Sequence, residues 1–158
     1  MEFTVRRAQE KDFGKIISLL HDIAALHCAG RPDLFISGYS KYTRAELEEI
    51  AANPATPVFV AADASDSAVG YVFCQLVEHC AHGPQKPFKA LYIDDLCVDE
   101  AYRGMGVGRA LVGRAADFAR ENGCYCVELN VWEFNENARK FYESLGMHTR
   151  KRTMELIL

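Results

Sequence analysis

The junction "YRGMGVGRAL", residues 102–111, constrains this chain more than any other segment. Three glycines at a spacing of two follow an apolar, strand-like run, "FKALYIDDLCVD" (88–99). Behind them Val107, Leu111, Ala115 and Phe118 recur at helical spacing. Glycine at this density weakens helix and strand alike, so the segment reads as a tight strand-to-helix turn. Such a turn bares successive backbone N–H groups beside a helix N-terminus, which is a site for an anion such as phosphate. A dinucleotide fingerprint is excluded, because the third glycine falls at Gly108 and position 109 is arginine. The run "GRALVGRA" from Gly108 lacks the lysine and Ser/Thr of a Walker A loop. A turn that serves only close helix–strand packing is the plain alternative.

The rest of the chain alternates between the two periodicities. Residues 3–8, "FTVRRA", alternate like a strand, and from Asp12 to His27 apolar residues follow helical spacing. "AGRPDLFISGYSKY" (29–42) is a loop by composition, and Thr43 with Glu46 forms a capping box for a second helix. Residues 57–63 and 68–79 read as strands around the turn "ASDS". Strand 88–99, the helix from the glycines to "ENG", a strand over 124–132 and a helix from Asn135 to Gly146 follow. "MHTRKRTMELIL" closes as a strand. The expected order is β-α-α-β-β-β-α-β-α-β over one domain, residues 1–158. That is an α/β (α+β mixed), three-layer arrangement: a mixed, mostly antiparallel twisted sheet with helices on both faces.

At 158 residues, a single domain buries roughly 70% of its unfolded surface. The formal charge of −4 gives no basic footprint for nucleic acid. No apolar run reaches the length of a membrane span, and the N-terminus lacks a secretory h-region. Six cysteines without a secretory signal read as reduced thiols, and the protein as cytoplasmic. His79, His82, Cys74 and Cys80 lack the spacing of a zinc site, so no metal is expected.

Arg103-Gly104-Met105-Gly106-Val107-Gly108 resembles the R/Q-x-x-G-x-G/A signature of the GCN5-related N-acetyltransferase (GNAT) superfamily. "NVWEFNENARKFYESLGM" resembles its second motif, N-x-x-A-x-x-F-Y-x-x-x-G, with Asn135, Ala138, Tyr142 and Gly146 in register. The element order is similar over nearly the whole chain. The resemblance implies an N-acetyltransferase that carries acetyl from acetyl-CoA to a primary amine of a small molecule or a protein, by direct ternary-complex attack. It implies cofactor contacts from Arg103, Gly104, Met105, Gly106, Val107, Gly108 and Arg109, and from the backbone of Leu96, Cys97 and Val98. Asn135 lies near the cofactor in this pattern and equally suits an N-cap. Tyr142 would donate a proton to the leaving thiol; an aromatic on a helix's apolar stripe is otherwise core.

Asp94 and Asp95 interrupt an apolar strand, where adjacent carboxylates are costly unless paired, solvated or useful. Their side chains point to opposite faces unless a bulge re-aims one. The resemblance places Asp94 near the acceptor amine as an attracting group or base, with a structural ion pair as the equal alternative; Asp95 reads as structural. His27, Asp33, Tyr39 and Tyr42 fall in the segments that would shape the acceptor pocket, and each is equally ordinary loop structure. The rival from another class is an acyl-CoA-binding sensor with this fold and no turnover, which needs neither Tyr142 nor Asp94. The short segment after Gly146 leaves the end of the sheet to be completed by another copy's strand, which predicts a homodimer.

Overall fold

The computed structural model describes residues 2–158. Five strands form one sheet in the order β1-β2-β3-β4-β5: β1 Phe3–Arg7, β2 Val58–Asp63, β3 Ala68–His79, β4 Phe88–Val98 and β5 Cys126–Leu129. The first four pair antiparallel and β5 joins β4 in parallel. The helices are α1 Phe13–Gly30, α2 Arg44–Ala52, α3 Val107–Glu121 and α4 Glu136–Ser144. The expected class and order hold up to α4. Among the described residues no helix is long and apolar enough to cross a membrane.

Strand alternation builds a core on each face of the sheet. Val58, Val60, Tyr71, Phe73 and Cys97 face α1 and α2, where they meet Phe13, Ile16, Leu19, Leu20 and Leu47. Phe59, Ala61, Val72, Cys74, Leu91 and Ile93 face α3, against Val107, Leu111, Ala115 and Phe118. Thr43 caps α2 as its sequence dictates, its hydroxyl accepting from the Glu46 N–H while the Glu46 carboxylate returns to the Thr43 N–H. Asp12 is the buried charge; it accepts from both terminal nitrogens of Arg6 at 2.7 and 3.0 Å and so ties β1 to the start of α1.

Two expectations fail. The strand expected over 124–132 is paired only from Cys126 to Leu129. The closing strand is absent: residues 147–158 carry no regular structure, and Met154, Leu156, Ile157 and Leu158 are exposed. Alternating apolar residues define a strand's two faces but supply no partner for its backbone. β5 offers an edge of only four residues, and ion pairs of Arg150 with Glu128 and of Glu155 with Arg31 hold the tail through side chains instead.

Leu111 is fully buried between α3 and the sheet. Leu111→Ala is expected to cost about 2–5 kcal/mol, read as a lower urea midpoint at unchanged m-value.

Candidate active site

β4 and β5 run together only from Ala90–Cys126 to Ile93–Leu129, yet β4 continues for five more residues to Val98. Over that stretch β4 is paired on its β3 side alone. Asp99 donates its N–H to Val69 of β3 at 2.9 Å. Alternate N–H groups of a strand point to opposite sides, so the Val98 N–H faces the open side. A cleft therefore begins where the two parallel strands part, beside Leu96, Cys97 and Val98.

The glycine junction lies at the end of this cleft. Gly104 and Gly106 adopt φ of 75° and 85°, left-handed conformations that only glycine takes at little cost. A Cβ at either would meet nothing within 4 Å, so the loop is open as well as tightly turned. Met105 is exposed, whereas the Val107 side chain is in the core and only its backbone is available. Arg103 folds back to donate from Nε to the Val98 carbonyl at 3.1 Å, and Arg109 is exposed. Gly108 has a packing reason of its own: a Cβ there would stand 3.0 Å from the Phe141 ring of α4. The geometry is that of an anion cradle with arginines at its rim, and it suits a pyrophosphate.

Between β3 and β4 the register shifts: Phe73 faces Asp95 and Cys74 faces Ile93, leaving Asp94 as the extra residue. This bulge reverses the parity of β4. Leu91 and Ile93 face α3, but Asp95 and Cys97 share the α1–α2 face with Phe73 and Tyr71. Asp94 turns the same way, accepting from the Tyr42 hydroxyl at 2.6 Å and pairing with Lys41 at 3.0 Å. Both carboxylates therefore look into one face of the sheet.

Their environments differ. Asp94 has two neutralising partners, Lys41 and Tyr42. Asp95 has none in direct contact; burial, with Asp94 next to it, pushes its carboxyl up to about 6, against the pull of Lys41 and Tyr71. The Tyr71 hydroxyl is buried without a well-formed hydrogen bond, although it lies near enough to Asp95 to influence it. Asp95, read from sequence as structural, is thus the carboxylate with the more reactive setting. Nothing in the residue string separates the two acids except the bulge, and a bulge leaves no periodic mark.

Asn135 caps α4, accepting from the Ala138 N–H at 3.1 Å. The helix crosses the opened end of the sheet, with Phe141 towards Gly108 and Tyr142 towards β4. Burial first, then the nearby Asp95 and Cys97, hold the Tyr142 hydroxyl well above the ordinary tyrosine range. Burial likewise pushes the Cys97 thiol up to about 11, so it is a poor nucleophile.

The remaining sequence candidates separate. Tyr42 is brought to the carboxylates. His27 packs against Phe35 and Phe134, and burial followed by the charge of Lys41 lowers its pKa. Asp33 is exposed and committed to Arg31 at 2.7 Å, and Tyr39 is exposed at the loop tip. Lys41, which the sequence reading passed over, stands next to Tyr42 and reaches Asp94. Trp132, in the turn before α4, packs on Phe35 and Phe134 and extends the aromatic wall begun by His27. Among the described residues no group of three or more His, Cys, Asp or Glu is gathered to hold a metal ion.

The Acetyltransferase (GNAT) family model matches residues 5–147, and the chain belongs to this family of acetyltransferases. It is 26% identical over 152 residues to thialysine N-epsilon-acetyltransferase of Bos taurus, covering 90% of this chain and 82% of that protein. A shorter match, 40% identical over 67 residues, is to glucosamine 6-phosphate N-acetyltransferase of Trypanosoma brucei brucei. It spans 42% of this chain and only 44% of that enzyme's length. A mutant of the BH1408 protein from Bacillus halodurans has the same fold, with a TM-score of 0.93 at 30% identity over 98% of this chain and 99% of that one.

The raised Asp95 pKa carries a stability penalty with a definite sign. Between the unfolded carboxyl value near 4 and about 6, the folded chain holds the extra proton. Stability therefore falls as pH rises through this window and stays lower above it. Asp95→Asn is expected to raise stability at pH 7 by ~1–2 kcal/mol, read by thermal melting. The advantage should vanish below about pH 4.

Proposed function

We propose that residues 1–158 act as one domain that transfers acetyl from acetyl-CoA to a primary amine by direct attack in a ternary complex. The observation that carries this reading is the parting of β4 from β5. It leaves the Val98 N–H free beside a glycine cradle, with Tyr142 and Asp95 close enough to influence one another. When bound, acetyl-CoA supplies an activated thioester. The N–H groups of residues 104–109, with Arg103 and Arg109, hold its pyrophosphate. The backbone of Leu96, Cys97 and Val98 takes the pantetheine arm as a partner strand would. The Val98 N–H donates to the thioester carbonyl oxygen as negative charge grows there.

The carboxylates act on the acceptor. An alkylamine with a pKa near that of lysine, ~10, is almost wholly protonated at neutral pH. Asp94 attracts it. Asp95, with a carboxyl near 6, is matched to take its proton at neutral pH, directly or through water. Tyr142, kept protonated, gives a proton to the departing thiolate. Cys97 stays out of the reaction, because its thiol remains protonated. This supports attack without an acetyl-cysteine.

The relatives' names point to amine acceptors, thialysine and glucosamine 6-phosphate. A cationic alkylamine fits the paired carboxylates best. We place the reaction in the cytosol, on the reading of the six cysteines as reduced thiols.

The test is thiol release from acetyl-CoA against small amines, lysyl peptides and N-terminal peptides. Turnover should rise with pH through a limb near 6, set by Asp95 among Asp94, Lys41, Tyr42, Tyr71, Cys97 and Tyr142. Asp95→Asn should remove that limb and lower kcat about 100-fold or more. Tyr142→Phe should lower kcat while acetyl-CoA binding persists. Tight binding with no thiol release on a broad panel would instead favour the acyl-CoA sensor.

The exposed tail supports a homodimer in which residues 147–158 of a second copy pair with the edge of β5. β5 is the outermost strand, and the tail's apolar side chains have no cover within the chain. Sedimentation at micromolar concentration should give a dimer, and removal of residues 153–158 a monomer. A full-length monomer under the same conditions rejects this assembly.

A further inference from the structure

Lys41 lies in the irregular connection between α1 and α2, directly before Tyr42. Of the lysines among the described residues, it is the one whose ammonium reaches the β4 bulge. Its Nζ donates to the Asp94 main-chain oxygen at 2.8 Å and stands 3.0 Å from Asp94 Oδ2. The Tyr42 hydroxyl donates to the same carboxylate oxygen, and Lys41 Nζ lies 5.7 Å from the centre of the Tyr42 ring. The ammonium charge is felt at Asp95, whose own charge is felt at Tyr142. A primary amine supplied by the chain thus occupies the position that the carboxylates prepare for an acceptor. Lys11 and Lys140 are paired with surface carboxylates elsewhere, and Lys15 is held by Asp99, just past the end of β4.

We propose that Lys41 is a self-acetylation site, modified in cis at its own catalytic centre. The inference rests on the acetyltransferase reading above. The step balances as follows. Asp95 takes one proton from the Lys41 ammonium through an intervening water, leaving a lone pair on Nζ. Lys41 Nζ forms a bond to the acetyl carbon as the carbon–sulfur bond breaks. Tyr142 donates its proton to the departing sulfur and regains one through solvent, and the second Nζ proton leaves to water. One lysine ammonium and one acetyl thioester become one acetyl-lysine, one thiol and one proton.

The modification also changes the site. An amide carries no charge, so acetylated Lys41 gives up its ion pair with Asp94. Asp94 and Tyr42 are then free to receive a cationic acceptor from outside. In its unmodified form, Lys41 competes with that acceptor for the same carboxylate.

The experiment incubates the purified full-length protein with acetyl-CoA and no added amine, followed by intact mass and peptide mapping. One acetyl group is expected on Lys41, with Lys11, Lys15 and Lys140 unmodified over the same time. The rate constant should not depend on protein concentration, and Tyr142→Phe should lower it about 100-fold. Lys41→Arg keeps a charge for Asp94 and should show no mass gain. Three results overturn the proposal: Lys41 left bare while external amines turn over, acetyl spread evenly over surface lysines, or a rate that rises with protein concentration. Calorimetry on the same sample separates the two readings. If acetyl-CoA does not bind, the acetyltransferase reading falls with this one; if it binds and external amines react, only the role of Lys41 is in question.

Discussion

The parting of two parallel strands governs the chemistry available to this chain. β4 outruns its pairing with β5 by five residues, and over that stretch the backbone groups that face away from β3 are left without a sheet partner. An unpaired strand edge invites another extended chain, and an extended pantetheine arm meets the same requirement. The glycine turn that ends β4 delivers the chain to the N-terminus of α3, so the strand-like part of the cleft and its anion cradle are continuous. α4 closes the far side and contributes Tyr142. Each component is ordinary; the cleft comes from strands that share only part of their length.

The bulge at Asp94 adds an asymmetry to the cleft. By turning Asp94 and Asp95 to one face, it sets two carboxylates side by side in a half-buried setting. The protein resolves the conflict by unequal neutralisation. Lys41 and Tyr42 both attend Asp94, whereas Asp95 is left with a raised affinity for protons. Environments that push two acids apart are a recurrent way to divide an acid–base task. Here the ion pair goes to one acid and the raised proton affinity to its neighbour.

Much of this was legible in the residue string. The glycine spacing located the tight turn before α3, the Thr43–Glu46 box located the start of α2, and helical spacing located α3 and α4. What stayed hidden has a common physical origin. Periodicity reports which face a residue occupies only while the register is unbroken, and the bulge at Asp94 breaks it without altering composition. The alternation in "MHTRKRTMELIL" signalled a strand, but a strand exists only where another edge accepts its hydrogen bonds. Tyr42 and Lys41 come to Asp94 across more than fifty residues of sequence, a meeting that the loop's own composition does not announce.

The helix that carries Tyr142 is lightly held. α4 is nine residues long and none of its residues is fully buried; it meets the domain through the Phe141 ring at Gly108 and through Tyr142, which turns in towards Asp95 and Cys97. Elements with little buried apolar surface open at low free energy, well below global unfolding. α4 therefore belongs to the fast-exchanging part of the fold while the cleft is empty, and its amides should be among the first to take up deuterium. A ligand lying between β4 and α4 would supply the packing that the helix lacks. Tyr142 would then be fixed in place by the filling of the cleft, and α4 would gain its order from the ligand instead of from the core.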